Sequence, residues 1–163
     1  MKNSREIRCY DYVNHSYEQV RDALRQNAAK VFQSATKSAI SRAESVATEL
    51  RVDFGAVGVK ADVEVCVKTV EDKLDAIPSP TTVLSLQWEA KTMPGLFPVM
   101  RANLCIYPLT ATETQLDFLG HYEPPFGALG KAMNAIVGYR IAEVSVHRFL
   151  SEIAGYLRQT IGS

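Results

Sequence analysis

A chain of 163 residues has room for one domain with a substantial core, because at that size folding buries roughly 70% of the surface exposed by the unfolded chain. Apolar residues make up 47% and charged residues 22%, so the composition is that of a globular protein and not of a disordered one. Eighteen basic residues balance eighteen acidic ones, which argues against a nucleic-acid binder and against a polybasic membrane-surface module, since both need a basic excess.

The run Arg5 to Val13, rich in Ile, Tyr, Cys and Val, predicts a strand. Ser16 followed three residues later by Gln19 is a capping-box signature, and it starts a short helix with Tyr17, Val20 and Leu24 on its inner face. Asn27 can cap a second helix, whose small or apolar positions recur at Ala28, Phe32, Ala35, Ala39, Ala43, Val46 and Leu50. An alanine-lined helix lets a neighbouring element approach closely. From Leu50 the period becomes two, which predicts one strand over 50–56 and another over 59–68 around the turn Gly55 to Gly58. EDKLDAIPSP reads as a loop. Leu84, Leu86, Trp88 and Ala90 then share one face of a strand that Met93-Pro94-Gly95 and Pro98 break. Val99 to Leu109 and Thr114 to Tyr122 form two more strands joined at Ala111. Each strand has one apolar face, so the sheet is antiparallel and covered on one side. From about Phe126 to Gln159 the pattern is helical and long. The fold class is α+β: a curved antiparallel sheet of about six strands around a long C-terminal helix, with two shorter helices after the first strand. No repeat, low-complexity tract or linker divides the chain, so 1–163 reads as one domain.

That order, with Tyr122, Pro124, Pro125, Gly127 and Gly130 leading into the last helix and Arg140-Ile141-Ala142-Glu143 and Phe149-Leu150 along it, resembles the START-like (SRPBCC) superfamily. This superfamily includes Bet v 1-like, polyketide cyclase/dehydrase-like and lipid-transport-like proteins. The resemblance implies a helix-grip fold with a hydrophobic cavity between sheet and helix that holds lipids, sterols, quinones or polyketide-like molecules. The glycine-rich loop of the plant allergen branch is not evident, and catalytic residues vary so widely in the superfamily that none is carried over.

On the last helix, Leu129, Met133, Ile136, Val137 and Val144 fall on one stripe, and Arg140 and His147 lie within it. A guanidinium on an apolar face must be paired or solvated. Arg140 and His147 therefore either orient a ligand oxygen in the cavity or satisfy structural partners, with Glu143 one helical step from both. Trp88 lines the core or the cavity, and Tyr107 is a phenol on a strand that can anchor a ligand. The expected ligand-binding set is thus Trp88, Tyr107, Met133, Ile136, Val137, Arg140, Val144 and His147. His121 faces outward or serves as a base at the cavity mouth, His15 lies at the surface, and the loop MPGLFP is a gate or a contact patch.

Cys9, Cys66 and Cys105 each sit in a strand-like run and read as buried small hydrophobes. No two histidines stand four apart and no His-Cys cluster forms, so no metal site is expected. Phosphate-loop, dinucleotide and nucleophile-elbow motifs are absent, and no cofactor is expected. The N-terminal stretch lacks an apolar signal core and no window is long enough for a membrane span, so a cytoplasmic protein follows. The expected function is binding of a small hydrophobic molecule, the alternatives being a polyketide cyclase/dehydratase-like enzyme or a co-chaperone-like accessory without a working cavity.

Overall fold

The computed structural model describes residues 5–49, 63–90, 99–123 and 135–161. In chain order these form β1 (Arg5–Val13), α1 (Tyr17–Glu49), β2 (Val63–Lys73), β3 (Thr81–Ala90), β4 (Val99–Thr110), β5 (Glu113–Glu123) and α2 (Ala135–Thr160). The strands make one sheet in the order β1-β5-β4-β3-β2, antiparallel throughout. The described residues hold five strands where about six are expected from sequence. The stretch 50–56, the loop MPGLFP and the Gly127–Gly130 lead-in to the last helix all lie outside the described residues.

Alternation decides which face of the sheet is covered. Ile7, Cys9 and Val13 of β1, Leu84 and Leu86 of β3, Leu104 and Ile106 of β4, and Leu116 and Phe118 of β5 are all buried on the side that receives the helices. Their odd-even partners Tyr10, Arg101, Asn103 and His121 are exposed on the other side. Irregular pairing between Val67 and Thr69 in β2, and between Pro108 and Thr110 in β4, marks bulges that bend these strands. Pro108 sits at such a bulge, where a missing N–H is tolerated. EDKLDAIPSP is only partly a loop, because β2 runs on through Lys73 and keeps pairing with β3.

The capping box forms as expected: Ser16 Oγ accepts from the Gln19 N–H at 3.3 Å, and Gln19 Oε1 accepts from the Ser16 N–H at 3.2 Å. The two expected short helices are two segments of α1, divided at Asn27, whose φ of −130° and ψ of 22° are non-helical. Tyr17, Val20 and Leu24 are buried on the first segment, and Val31, Phe32, Ala35 and Ala39 on the second. Helix α1 as a whole packs more extensively on α2 than on the sheet. Phe32 stacks on Phe149 of α2 at 6.0 Å, and Ser38 accepts from Arg148 Nε at 2.9 Å.

Helix α2 buries Ala142, Val146, Phe149, Leu150, Ile153, Ala154 and Leu157. This face is rotated from the stripe expected through Val144 and His147. The i, i+4, i+8 series Phe149, Ile153, Leu157 sets the phase, and by that phase Arg140, His147 and Ser151 turn outward. No described helix is long and apolar enough to cross a membrane.

Candidate functional site

The space between sheet and α2 is occupied at its centre by four aromatic rings, one from each of α1, β3, β5 and α2. Phe149 contacts the other three, with centroids 6.0 Å from Phe32, 4.8 Å from Trp88 and 6.2 Å from Phe118. Trp88 also meets Phe118 at 5.8 Å. Tilted and edge-on geometries of this kind suit the ring quadrupoles. Trp88 is the only one of the four that is not fully buried.

Trp88 belongs to a row across the inner face in which Val65, Trp88, Met100 and Tyr122 lie in register. In the next row Val67, Leu86, Ala102 and Gly120 lie in register, so two of its four residues have little or no side chain. A Cβ built on Gly120 would stand 2.8 Å from Phe118 Cε1 and 3.3 Å from Met100 Sδ, so the glycine is what lets the Phe118 ring lie flat over β5. Val65, Val67, Trp88 and Met100, with Tyr139 from α2, pack on the core yet stay only partly covered. Val65, Trp88 and Met100, in register, with Val67 beside them form a partly covered apolar wall on the inner face, whereas Tyr139 sits at the other edge of the sheet, against Arg5 and Glu6 of β1.

The expected site residues separate around this wall. Trp88 is in it. Tyr107 is not: its strand partner is Gln115, and it stands on the outer face with Cys105, away from α2. Both faces of β4 carry apolar side chains here, so alternation alone left its side undecided. Partial burial and then Asp117 push the Tyr107 hydroxyl above its ordinary value. Arg140 is exposed and forms no ion pair with Glu143 among the described residues. Glu143 instead acts on Tyr139, whose hydroxyl is pushed up first by burial and then by that carboxylate, and whose O–H reaches the Glu6 carbonyl at 3.3 Å. Val144 is half-buried and His147 exposed. Both line a groove of about 400 Å³ between α2, α1 and the edge of β1. Met133 lies outside the described residues, as do the side chains of Ile136 and Val137.

A feature not anticipated from sequence closes the other end of the concave face. Tyr17 hydroxyl meets Thr82 Oγ1 at 2.5 Å, and Thr82 donates to Asp72 Oδ1 at 2.7 Å. Asp72 is also paired with Arg25. Beside this chain is a recess of about 220 Å³ walled by Leu24, Val70, Leu84 and Ile106. Helix α1 and β2 are far apart in sequence, and nothing local marks them as partners.

Cys9 is buried on the inner face of β1, and burial, reinforced by Asp117, Asp11 and Glu143, pushes its thiol up to about 12. An unfolded cysteine ionises near ~8.5. The folded state therefore keeps a proton that the unfolded state releases, and stability present below about pH 8.5 declines by about 1.4 kcal/mol per unit as pH rises toward 12. Between pH 8 and 10 wild type is expected to lose about 2 kcal/mol more than Cys9→Ala in urea unfolding. Equal losses would refute this assignment. No group of three or more His, Cys, Asp or Glu among the described residues is placed to hold a metal ion.

No family model matches the chain, and no curated protein matches it. Solved structures do. A conserved protein from Geobacillus kaustophilus superposes with a TM-score of 0.51 at 14% identity, over 96% of this chain and 97% of its own. The Zhui aromatase/cyclase from Streptomyces sp. R1128 superposes with a TM-score of 0.50 at 12% identity, over 99% of this chain and 98% of its own. At such identity the likeness is one of fold. What is shared is the arrangement of an antiparallel sheet with a C-terminal helix packed on it.

Proposed function

We propose that this protein binds a small hydrophobic molecule against the concave face of its sheet, beneath α2. The observation that carries this reading is the wall of Val65, Val67, Trp88 and Met100, apolar, packed against the core and only partly covered. Isolated apolar side chains on a surface need no explanation, whereas a contiguous wall beside an aromatic core is what ligand pockets use. Met133, Ile136 and Val137 are proposed to complete it from the α2 side. The fold it shares with an aromatase/cyclase also admits an enzyme, but Arg140 and His147, the side chains expected to orient a ligand oxygen, are exposed.

Trp88 is the only tryptophan of the chain, so its fluorescence reports the wall without labelling. Fatty acids, sterols, quinones and flat aromatic polyketides are to be screened by Trp88 emission and by thermal shift together. At least one class is expected to change the emission saturably and raise Tm, and Trp88→Phe should abolish the optical change while keeping the thermal one. Silence in both measurements across all four classes would remove the proposal.

A further inference from the structure

The groove of about 400 Å³ on the flank of α2 is separate from the apolar wall. It lies within the roughly 300–1,000 Å³ typical of small-molecule sites. Three elements build it: Tyr10 from edge strand β1, Arg42 from α1, and Val144, His147, Arg148 and Leu150 from α2. Its chemistry is divided. Tyr10 and Val144 supply aromatic and aliphatic surface, while Arg42, His147 and Arg148 supply donors.

The charges in and around it are unbalanced. Asp11 lines the groove, but its carboxylate is already held by Arg158 at 2.9 Å. Arg148 is offset by Glu152 at 3.2 Å. Among the described residues that leaves Arg42 as excess positive charge, with the His147 ring beside it. Arg148 donates its single Nε hydrogen to Ser38 at 2.9 Å, and Glu152 stands beside it as an ion-pair partner. Among the described residues the two terminal amino groups, the prongs that grip an oxyanion in bidentate fashion, make no hydrogen bond. A positioned guanidinium, a second one across the groove, an imidazole and an apolar floor are complementary to one kind of molecule.

We propose that this groove binds an amphipathic oxyanion, a carboxylate or phosphate monoester carried on an aromatic or branched apolar body. Arg148 and Arg42 hold the anionic group and Tyr10 and Val144 cover the body. The inference does not depend on the hydrophobic-ligand reading, and the two are resolved by where a probe acts.

The test uses the full chain and three probes of one shape: 2-naphthoate, 2-naphthyl phosphate and neutral 2-naphthalenemethanol. Binding is followed by NMR at the His147 ring for the groove and at the Trp88 indole N–H for the wall. Both anions are expected to shift His147 saturably, with the alcohol at least about tenfold weaker, a difference of about 1.4 kcal/mol. Whichever anion binds more tightly identifies the headgroup. Arg42→Gln, a change at an exposed position, is expected to weaken the anions about fivefold to tenfold and leave the alcohol unchanged. Equal affinity for anions and alcohol, shifts confined to Trp88, no saturation below about 10 mM, or unchanged anion affinity in Arg42→Gln would each overturn the proposal.

Discussion

Phe149→Ala is expected to lower the unfolding free energy by about 3–5 kcal/mol, a large part of the roughly 5–15 kcal/mol that holds a domain together. Phe149 is fully buried and is the one ring that touches Phe32, Trp88 and Phe118. Its removal takes away apolar burial and leaves a cavity bordered by three rigid rings and two helices, which cannot all collapse into it. Phe149→Leu refills most of the volume without the edge-on contacts and should cost about 1–2 kcal/mol. Urea unfolding followed by far-UV circular dichroism measures both. A loss below about 1 kcal/mol in Phe149→Ala would mean that the four rings do not hold α2 on the sheet.

The second large effect is expected at Thr82, almost the same size as valine but essential for its hydroxyl. Thr82 is buried, and its single hydroxyl hydrogen goes to Asp72, because an ionised carboxylate only accepts. Tyr17, itself buried, must then donate to Thr82, so the hydrogen-bond order is fixed from Tyr17 through Thr82 to Asp72. Thr82→Val leaves a buried phenol with no acceptor and a carboxylate with one donor fewer. At about 1–3 kcal/mol for each buried group left unpaired, with Asp72 partly compensated by Arg25, a loss of about 2–4 kcal/mol is expected. Thr82→Ser should recover most of it. In a Tyr17→Phe background the same substitution should cost only about 1 kcal/mol, since the phenol is no longer there to be stranded. Additive losses in the double mutant would disprove the relay.

Much of this architecture was legible because its causes are local. Ser16 and Gln19 sit within one helical turn, and Leu84, Leu86 and Trp88 alternate within one strand, so spacing is the whole signal. Asn27 was readable as a helix start and is the kink between the two segments of α1. What failed depended on partners far along the chain. The expected phase of α2 rests on Leu129, Met133, Ile136, Val137 and Val144, whereas the ring cluster that decides it comes from Phe32, Trp88 and Phe118. A phase error turns a whole face, which is why Arg140 and His147 moved together. Tyr107 stands on the outer face for a related reason: Cys105 and Tyr107 are about as apolar as Leu104 and Ile106, and only the helices choose between the faces. The Tyr17–Thr82–Asp72 relay joins positions 65 and 10 residues apart, beyond any pattern of spacing.

The bond between α2 and β1 has a consequence unrelated to any ligand. Among the described residues β1 ends the sheet, and a terminal strand offers free backbone groups to the strands of other molecules. Near the end of α2, Arg158 donates to the Tyr12 carbonyl, grips Asp11 and lies over the Tyr12 ring at 5.4 Å. One side chain thereby occupies a main-chain acceptor of the edge strand, brings a cation to it and covers the neighbouring aromatic ring. The last turn of the C-terminal helix acts as a guard that discourages the sheet from growing into its neighbours, so the chain's behaviour at high concentration rests partly on a residue far from the concave face.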